Sequence, residues 1–149
     1  MHKNHTILLV EDNPDDEELT RLAFKECKFA NKLVVARDGQ DALDYLFANG
    51  KYSDRDVCDQ PQMALLDLKL PKVDGLEVLR RIRADERTKL LPVVILTSSK
   101  QEQDLVAGYS LGANSYIQKP VDFNQFTEAV RQLGLYWLVL NETAITCCK

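Results

Sequence analysis

The chain has 149 residues, of which 45% are hydrophobic and 28% are charged, and its net charge is −4. This balance is typical of one globular domain and excludes a largely disordered chain. The acidic net charge argues against binding to nucleic acid or to an anionic membrane, and no apolar run reaches the ~20 residues of a membrane helix. The amino-terminal MHKNH lacks the apolar core of a signal peptide, so we expect a cytoplasmic protein.

Short apolar runs alternate with helical patterns along the chain. The runs predict five strands, at Ile7–Val10, Leu33–Ala36, Met63–Leu66, Pro92–Leu96 and Ser115–Ile117. Each strand is followed by apolar residues at helical spacing, in five groups: Leu19, Leu22 and Ala23; Ala42, Leu43, Leu46 and Phe47; Leu76, Leu79 and Ile82; Leu105, Val106 and Tyr109; Phe123, Phe126, Val130 and Leu133. Strands that are apolar throughout are buried on both faces. This order predicts an α/β fold with a doubly wound, five-stranded parallel sheet and five helices.

Two segments lie outside this alternating pattern. Residues 49–61 form a polar, turn-rich insertion before the third strand, and residues 134–149 extend the chain beyond the last helix. We therefore assign residues 1–133 to the main domain and expect no output domain, because neither segment is large enough for one. The four cysteines, Cys27, Cys58, Cys147 and Cys148, lack metal-binding spacing and are expected to be reduced thiols.

Polar residues follow the predicted strands at one edge of the sheet. Glu11 and Asp12 follow the first strand, Asp67 the third, Thr97 the fourth, and the fifth leads to Lys119. Ligands bind at this edge of open parallel sheets. Two carboxylates ~4 Å apart repel by about 4 kcal/mol at an effective dielectric near 20. The three acids therefore predict a divalent cation with oxygen ligands, above all Mg²⁺.

Each of these residues also has a simpler structural interpretation. Asp12 and Asn13 are suited to capping a helix, and Asp67 fits a loop acid before the turn at Pro71. Thr97 fits an ordinary strand-end hydroxyl, and Lys119 fits a solvated lysine. Taken together on one edge of the sheet, the residues favour a functional site, since chance placement would have to succeed at every strand.

Four segments resemble the receiver domains of two-component response regulators. They are ILLVEDNPDD, LLDLKLPKVDGLEVLRRIR, the pair Thr97-Ser98 after PVVIL, and YIQKP, and the resemblance runs from about Thr6 to Leu133. It implies a flavodoxin-like receiver fold with strand order 2-1-3-4-5. The insertion and the LYWLVLNE tail are similar to those of stand-alone regulators paired with cyanobacterial phytochromes. The resemblance thus implies a single-domain response regulator that is phosphorylated by a sensor histidine kinase, in a Mg-dependent phosphorelay.

The resemblance assigns metal-binding roles to the acids. Asp67 corresponds to the phosphoacceptor, which also contributes to the metal site. Asp12 corresponds to the direct Mg²⁺ ligand and Glu11 to the acid that holds the ion through water. The backbone carbonyl of Lys69 corresponds to a further ligand.

Three other positions correspond to residues that sense the phosphoryl group. Lys119 corresponds to the lysine that pairs with a phosphoryl oxygen. Thr97 corresponds to the switch hydroxyl, and Tyr116 to the aromatic residue that follows its movement. A tyrosine packed at the sheet edge is an equally good interpretation of Tyr116.

The resemblance implies a phosphoacceptor signalling protein rather than an enzyme. Such a protein promotes its own phosphotransfer and slow autodephosphorylation, and changes its surface when phosphorylated. A haloacid-dehalogenase-type phosphatase is disfavoured because Lys69 stands where that family has a second acid. A flavin-binding module is disfavoured by the acids after the first strand, and a degenerate scaffold by the complete residue set. We also expect a homodimer through the fourth helix, fifth strand, fifth helix and the apolar tail run Leu135–Leu140.

Overall fold

The chain alternates strands and helices in the order that the sequence predicts. The computed structural model describes residues 6–27, 32–97, 112–118 and 122–133. Its elements are β1 (Thr6–Val10), α1 (Pro14–Glu26), β2 (Lys32–Ala36), α2 (Gly39–Phe47), a 3₁₀ turn (Gly50–Tyr52), β3 (Met63–Asp67), α3 (Gly75–Ala84), β4 (Val93–Thr97), β5 (Ser115–Gln118) and α4 (Phe123–Leu133). Helix α4 is the fifth helix of the sequence prediction. The predicted fourth helix around Leu105, Lys119 and the tail 134–149 lie outside the described residues.

The five strands form one parallel sheet in the order β2-β1-β3-β4-β5. This arrangement confirms the predicted doubly wound fold. Strand β3 is central, and its register sets Leu66 beside Val10 of β1 and Asp67 beside Leu96 of β4. Every residue of β1 and β3 is buried, which explains why these strands are almost continuously apolar.

Alternate residues of the strands pack into two separate hydrophobic cores. Leu8 and Val10 face the layer of α2 and α3, whereas Ile7 and Leu9 face the layer of α1 and α4. A fully buried leucine or isoleucine contributes about 1.5–3 kcal/mol to folding through the hydrophobic effect. A shift of β1 by one residue would exchange the side chains that pack into the two cores.

The helices α1, α2 and α3 each begin at an acidic or amide cap. The Asn13 side chain accepts hydrogen bonds from Asp15 N and Asp16 N at the start of α1, where Pro14 takes the first helical position. Asp38 caps α2 and Asp74 caps α3 in the same way. Of the two residues that the sequence offers as caps, Asn13 is therefore the N-cap of α1 and Asp12 is not.

The insertion is folded against α2. The Arg55 guanidinium lies 3.9 Å from the centre of the Tyr45 ring and donates to the Tyr45 carbonyl. The buried Gln60 side chain donates to the Leu46 carbonyl at 2.8 Å.

Cys27 is free, but Cys58 is disulfide-bonded, so the expectation of reduced thiols is wrong for Cys58. Sequence spacing does not show which cysteines a fold brings together. None of the described helices combines the length and hydropathy of a membrane span.

Candidate functional site

Three acids converge at the carboxyl ends of β1 and β3. Glu11, Asp12 and Asp67 each offer a carboxylate oxygen, and these oxygens lie within 4.8 Å of one another. The structure therefore confirms that the acids after neighbouring strands meet. Asp67 is 6% exposed and Glu11 is 1% exposed, whereas Asp12 is open to solvent. The cluster is thus buried on one side and accessible through Asp12.

Backbone contacts hold Glu11 and Asp67 in place. Glu11 N donates to the Ala36 carbonyl at 2.9 Å, which continues the β1–β2 pairing up to the site. Glu11 Oε2 accepts from Asn13 N at 3.3 Å, and Asp67 Oδ1 accepts from Lys69 N at 3.1 Å. The last bond folds the chain after β3 back towards Asp67. Lys69, whose backbone carbonyl is a predicted metal ligand, thus donates its amide proton to Asp67, another predicted ligand.

Carboxylates this close together favour a positive charge beside them. At 4.8 Å, two carboxylates repel by about 3.5 kcal/mol at an effective dielectric of 20. Carboxylate oxygens are the ligands that hard divalent cations prefer, and three of them within this distance suit one ion. The residues present therefore fit a divalent metal site.

A cavity of about 560 Å³ opens beside the cluster. Its wall is formed by Asp12, by the loop after β3 and by the first turn of α3. The lining residues of the loop and the helix are Leu68, Lys69, Leu70, Pro71, Asp74 and Leu76. Most of its wall is apolar, although Asp12 and Asp74 add negative charge. Sequence reasoning missed this cavity, because apolar residues in a loop have no periodicity that would mark a surface.

The start of α3 is packed tightly against the end of β3. A Cβ atom on Gly75 would lie 2.2 Å from the Asp67 carbonyl oxygen and 2.5 Å from Leu68 Cα. Gly75 N also donates to the Leu68 carbonyl at 2.9 Å. Only glycine permits this approach, so Gly75 fixes the short connection between Asp67 and α3. The sequence analysis did not single out Gly75, although a glycine directly after the Asp74 cap is a usable signal.

Two other predicted site residues, Thr97 and Tyr116, lie towards the β5 edge of the sheet. Thr97 ends β4 one residue beyond Leu96, the partner of Asp67, and its backbone pairs with Gln118 of β5. Tyr116 is partly buried and packs against the core on the α2–α3 side of the sheet. That packing agrees with the structural interpretation of Tyr116, and its switch role stays a prediction. Lys119 lies outside the part of the chain that the structure describes.

Comparison with known proteins identifies the family. The sequence model of the response regulator receiver domain matches residues 7–131. The probable methanogenesis regulatory protein FilR2 of Methanothrix harundinacea is 42% identical over 137 residues, which cover 92% of this chain and 86% of FilR2.

Two solved structures share the architecture. The bacteriophytochrome response regulator AtBRR is 54% identical with a TM-score of 0.78, and the match covers 95% of this chain and 100% of AtBRR. The Mn(2+)-bound form of Rcp1, a response regulator of Synechocystis, is 35% identical with a TM-score of 0.78, covering 97% of this chain and 99% of Rcp1. Agreement over this length, in sequence and in strand order, shows that the chain belongs to the family of response regulator receiver domains, whose general function is to accept a phosphoryl group.

Proposed function

We propose that Asp67 is the phosphoacceptor through which this response regulator receives a phosphoryl group from a sensor histidine kinase. The observation that carries the proposal is the place of its carboxylate, which ends the central strand within 4.8 Å of the Glu11 and Asp12 carboxylates. A nucleophile needs a fixed orientation towards the phosphorus atom. The hydrogen bond from Lys69 N to Asp67 Oδ1 and the tight α3 junction at Gly75 provide it.

The reaction is a displacement at phosphorus. A carboxylate oxygen of Asp67 forms a bond to phosphorus while the bond from phosphorus to the kinase histidine nitrogen breaks. The nitrogen leaves with the electron pair and the imidazole takes a proton. The product is an acyl phosphate on Asp67. Negative charge on the phosphoryl oxygens then adds to a site that already contains three acids.

A divalent cation, in our proposal Mg²⁺, offsets this charge. When bound, the ion supplies positive charge at the acids and at a phosphoryl oxygen. Asp12 and Asp67 would hold it directly, Glu11 through water, and the Lys69 carbonyl would complete the protein ligands. The oxygen-only donor set supports this choice, as does the Mn²⁺-bound form of the similar protein Rcp1.

The remaining assigned residues would read out the phosphoryl group. We assign Lys119 to a charge contact with a phosphoryl oxygen and the Thr97 hydroxyl to a hydrogen bond with another. Tyr116 would then change its position on the β5 edge. The position of the Thr97 backbone at the end of β4, next to the strand of Asp67, supports this assignment.

The partner kinase, in our proposal, is of the phytochrome type. The 54% identity to the bacteriophytochrome response regulator AtBRR supports this pairing. We also propose a cytoplasmic protein, because the partner kinase would need access to ATP. The protein would act as a signalling phosphoacceptor without a catalysed turnover of other substrates, apart from promoting its own phosphotransfer and slow autodephosphorylation.

We further propose a homodimer. It would form through the predicted fourth helix, β5, α4 and the tail, because the apolar run Leu135–Leu140 needs a surface to cover it. Analytical ultracentrifugation of the full chain and of a variant ending at Gly134 tests this proposal. We expect the truncation to weaken dimerisation, whereas equal dimerisation of both would remove the tail from the interface.

Incubation with acetyl phosphate and Mg²⁺, followed by intact-mass measurement, tests the phosphoacceptor. The wild type should gain the mass of one phosphoryl group, and Asp67→Asn should gain none. Asp74→Asn is the matched control, since it removes a nearby charge and keeps an oxygen to cap α3. Equal phosphorylation of Asp67→Asn and wild type would contradict the assignment.

A further inference from the structure

The segment of residues 37–39, here called the 37–39 turn, runs from the end of β2 to the first residue of α2. It lies in direct contact with the loop between β3 and α3. Gly39 N donates to the Pro71 carbonyl at 3.3 Å. A Cβ atom on Gly39 would lie 1.7 Å from the Val73 carbonyl oxygen and 2.6 Å from its carbon. Any side chain at position 39 would therefore displace the backbone around Val73. The role of this glycine is the close approach of two backbone segments.

The β3–α3 loop has a backbone conformation that needs such support. Lys72 has a φ of 70°, in the left-handed region that residues other than glycine rarely adopt. Its ammonium lies 3.6 Å from Asp38 Oδ2, but the Lys72 side chain is exposed, so this ion pair alone is weak. The backbone contact with Gly39 is the firmer support. Lys69, which precedes this segment, donates its amide proton to Asp67.

The 37–39 turn is itself anchored to α1. The Arg37 guanidinium is exposed, but two of its nitrogens donate to the two carboxylate oxygens of the buried Glu17 of α1. Arg37 N also donates to Asp41 Oδ2 at 3.3 Å. Asp38 caps α2 by accepting from Asp41 N at 2.7 Å. Helix α1 begins directly after Glu11 and Asp12. The turn thus connects the element that follows two of the acids to the loop that follows the third.

We propose that the 37–39 turn is a positioning element, with Gly39 as its central residue, that fixes the β3–α3 loop relative to α1. Because of this contact, the Lys69 carbonyl and the Asp67 carboxylate keep the geometry that a divalent cation requires relative to Glu11 and Asp12. The metal consequence rests on the proposed function. The ordering of the loop does not rest on it, and it is measurable in the absence of metal and phosphate.

Isothermal titration calorimetry with MgCl₂ and amide hydrogen exchange test this proposal on Gly39→Ala. We expect the Mg²⁺ dissociation constant to rise tenfold or more, a loss typical of residues that support metal ligands. We also expect faster exchange at Lys69 N and Gly75 N without metal, while the amides of β1 keep their protection. Gly50→Ala is the glycine control, because Gly50 adjoins Asp44 and lies outside this contact. It should leave both measurements unchanged.

A second pair of variants applies even if Gly39→Ala does not fold. Arg37→Gln and Arg21→Gln each remove one positive charge from Glu17, but only Arg37 belongs to the turn. We expect Arg37→Gln alone to weaken Mg²⁺ binding severalfold and to speed exchange at Lys69 N. Equal effects of the two arginine variants, or unchanged exchange at Lys69 N and Gly75 N in every folded turn variant, would overturn the proposal. A wild type that takes no phosphate from acetyl phosphate would instead overturn the proposed function, and the metal-free exchange would still test the turn.

Discussion

Replacing Asp67 by asparagine should stabilise the protein in the absence of divalent metal. Asp67 lies within 4.8 Å of two other carboxylates. Each pair repels by about 0.9 kcal/mol at the dielectric of water and by about 3.5 kcal/mol at an effective value of 20. Two such pairs at the lower value give about 2 kcal/mol in the free energy of unfolding, and this is the gain that we expect. Asparagine also keeps an oxygen that can accept from Lys69 N.

Urea unfolding and thermal unfolding, each in EDTA and in MgCl₂, measure this effect. In EDTA, the gain should raise the melting temperature of Asp67→Asn by about 4–8 °C. In MgCl₂ the difference in stability should shift in favour of wild type. Its free energy of unfolding rises by about 2.7 kcal/mol at a Mg²⁺ concentration of ~100 times the dissociation constant. Asp74→Asn should stay within about 0.5 kcal/mol of wild type in both buffers. An Asp67→Asn variant that is no more stable than wild type in EDTA would refute the repulsion argument.

Three further predictions concern metal binding, stability at low pH and the proposed switch. Asp12→Ala should lose most of the Mg²⁺-dependent rise in melting temperature, and a rise equal to that of wild type would exclude Asp12 as a ligand. Burial raises the pKa of Glu17, but hydrogen bonds and charges from Arg37 and Arg21 outweigh burial and hold it below 4.5. A carboxyl whose pKa is lower in the folded than in the unfolded protein stabilises the fold above its unfolded pKa, and this stability is lost as the pH falls through its folded pKa. Wild type should therefore lose more stability below pH 4.5 than Glu17→Gln. Denaturation at several pH values checks this, and parallel curves would contradict it. Thr97→Ala should still take phosphate from acetyl phosphate but show smaller amide-exchange changes along β5, and a full wild-type response would remove Thr97 from the switch.

The sheet and the acid cluster were accessible from the sequence because both follow from local pattern. Continuous apolar runs mark strands that are buried on both faces, and acids directly after β1 and β3 must meet once those strands are neighbours. Asn13 and Asp12 show the limit of this reasoning. Both are good helix caps, and only the backbone geometry shows that Asn13 takes the role.

The supports of the site were not accessible in the same way. Gly39 and Gly75 are needed because backbone segments approach within the volume of a methyl group, and sequence spacing does not show which segment each glycine approaches. The packing of Arg55 on the Tyr45 ring joins an irregular insertion to α2, for which no periodic pattern exists. The disulfide of Cys58 likewise depends on which residues the fold brings together.

Chemical location of the phosphoryl group tests the central claim most directly. Borohydride reduces an acyl phosphate at an aspartate to homoserine, so treatment after incubation with acetyl phosphate and Mg²⁺ marks the phosphorylated residue for peptide sequencing by mass spectrometry. We expect homoserine at position 67 and none at Asp12 or Asp74. Homoserine at any other aspartate, with Asp67 intact in the phosphorylated protein, would contradict it.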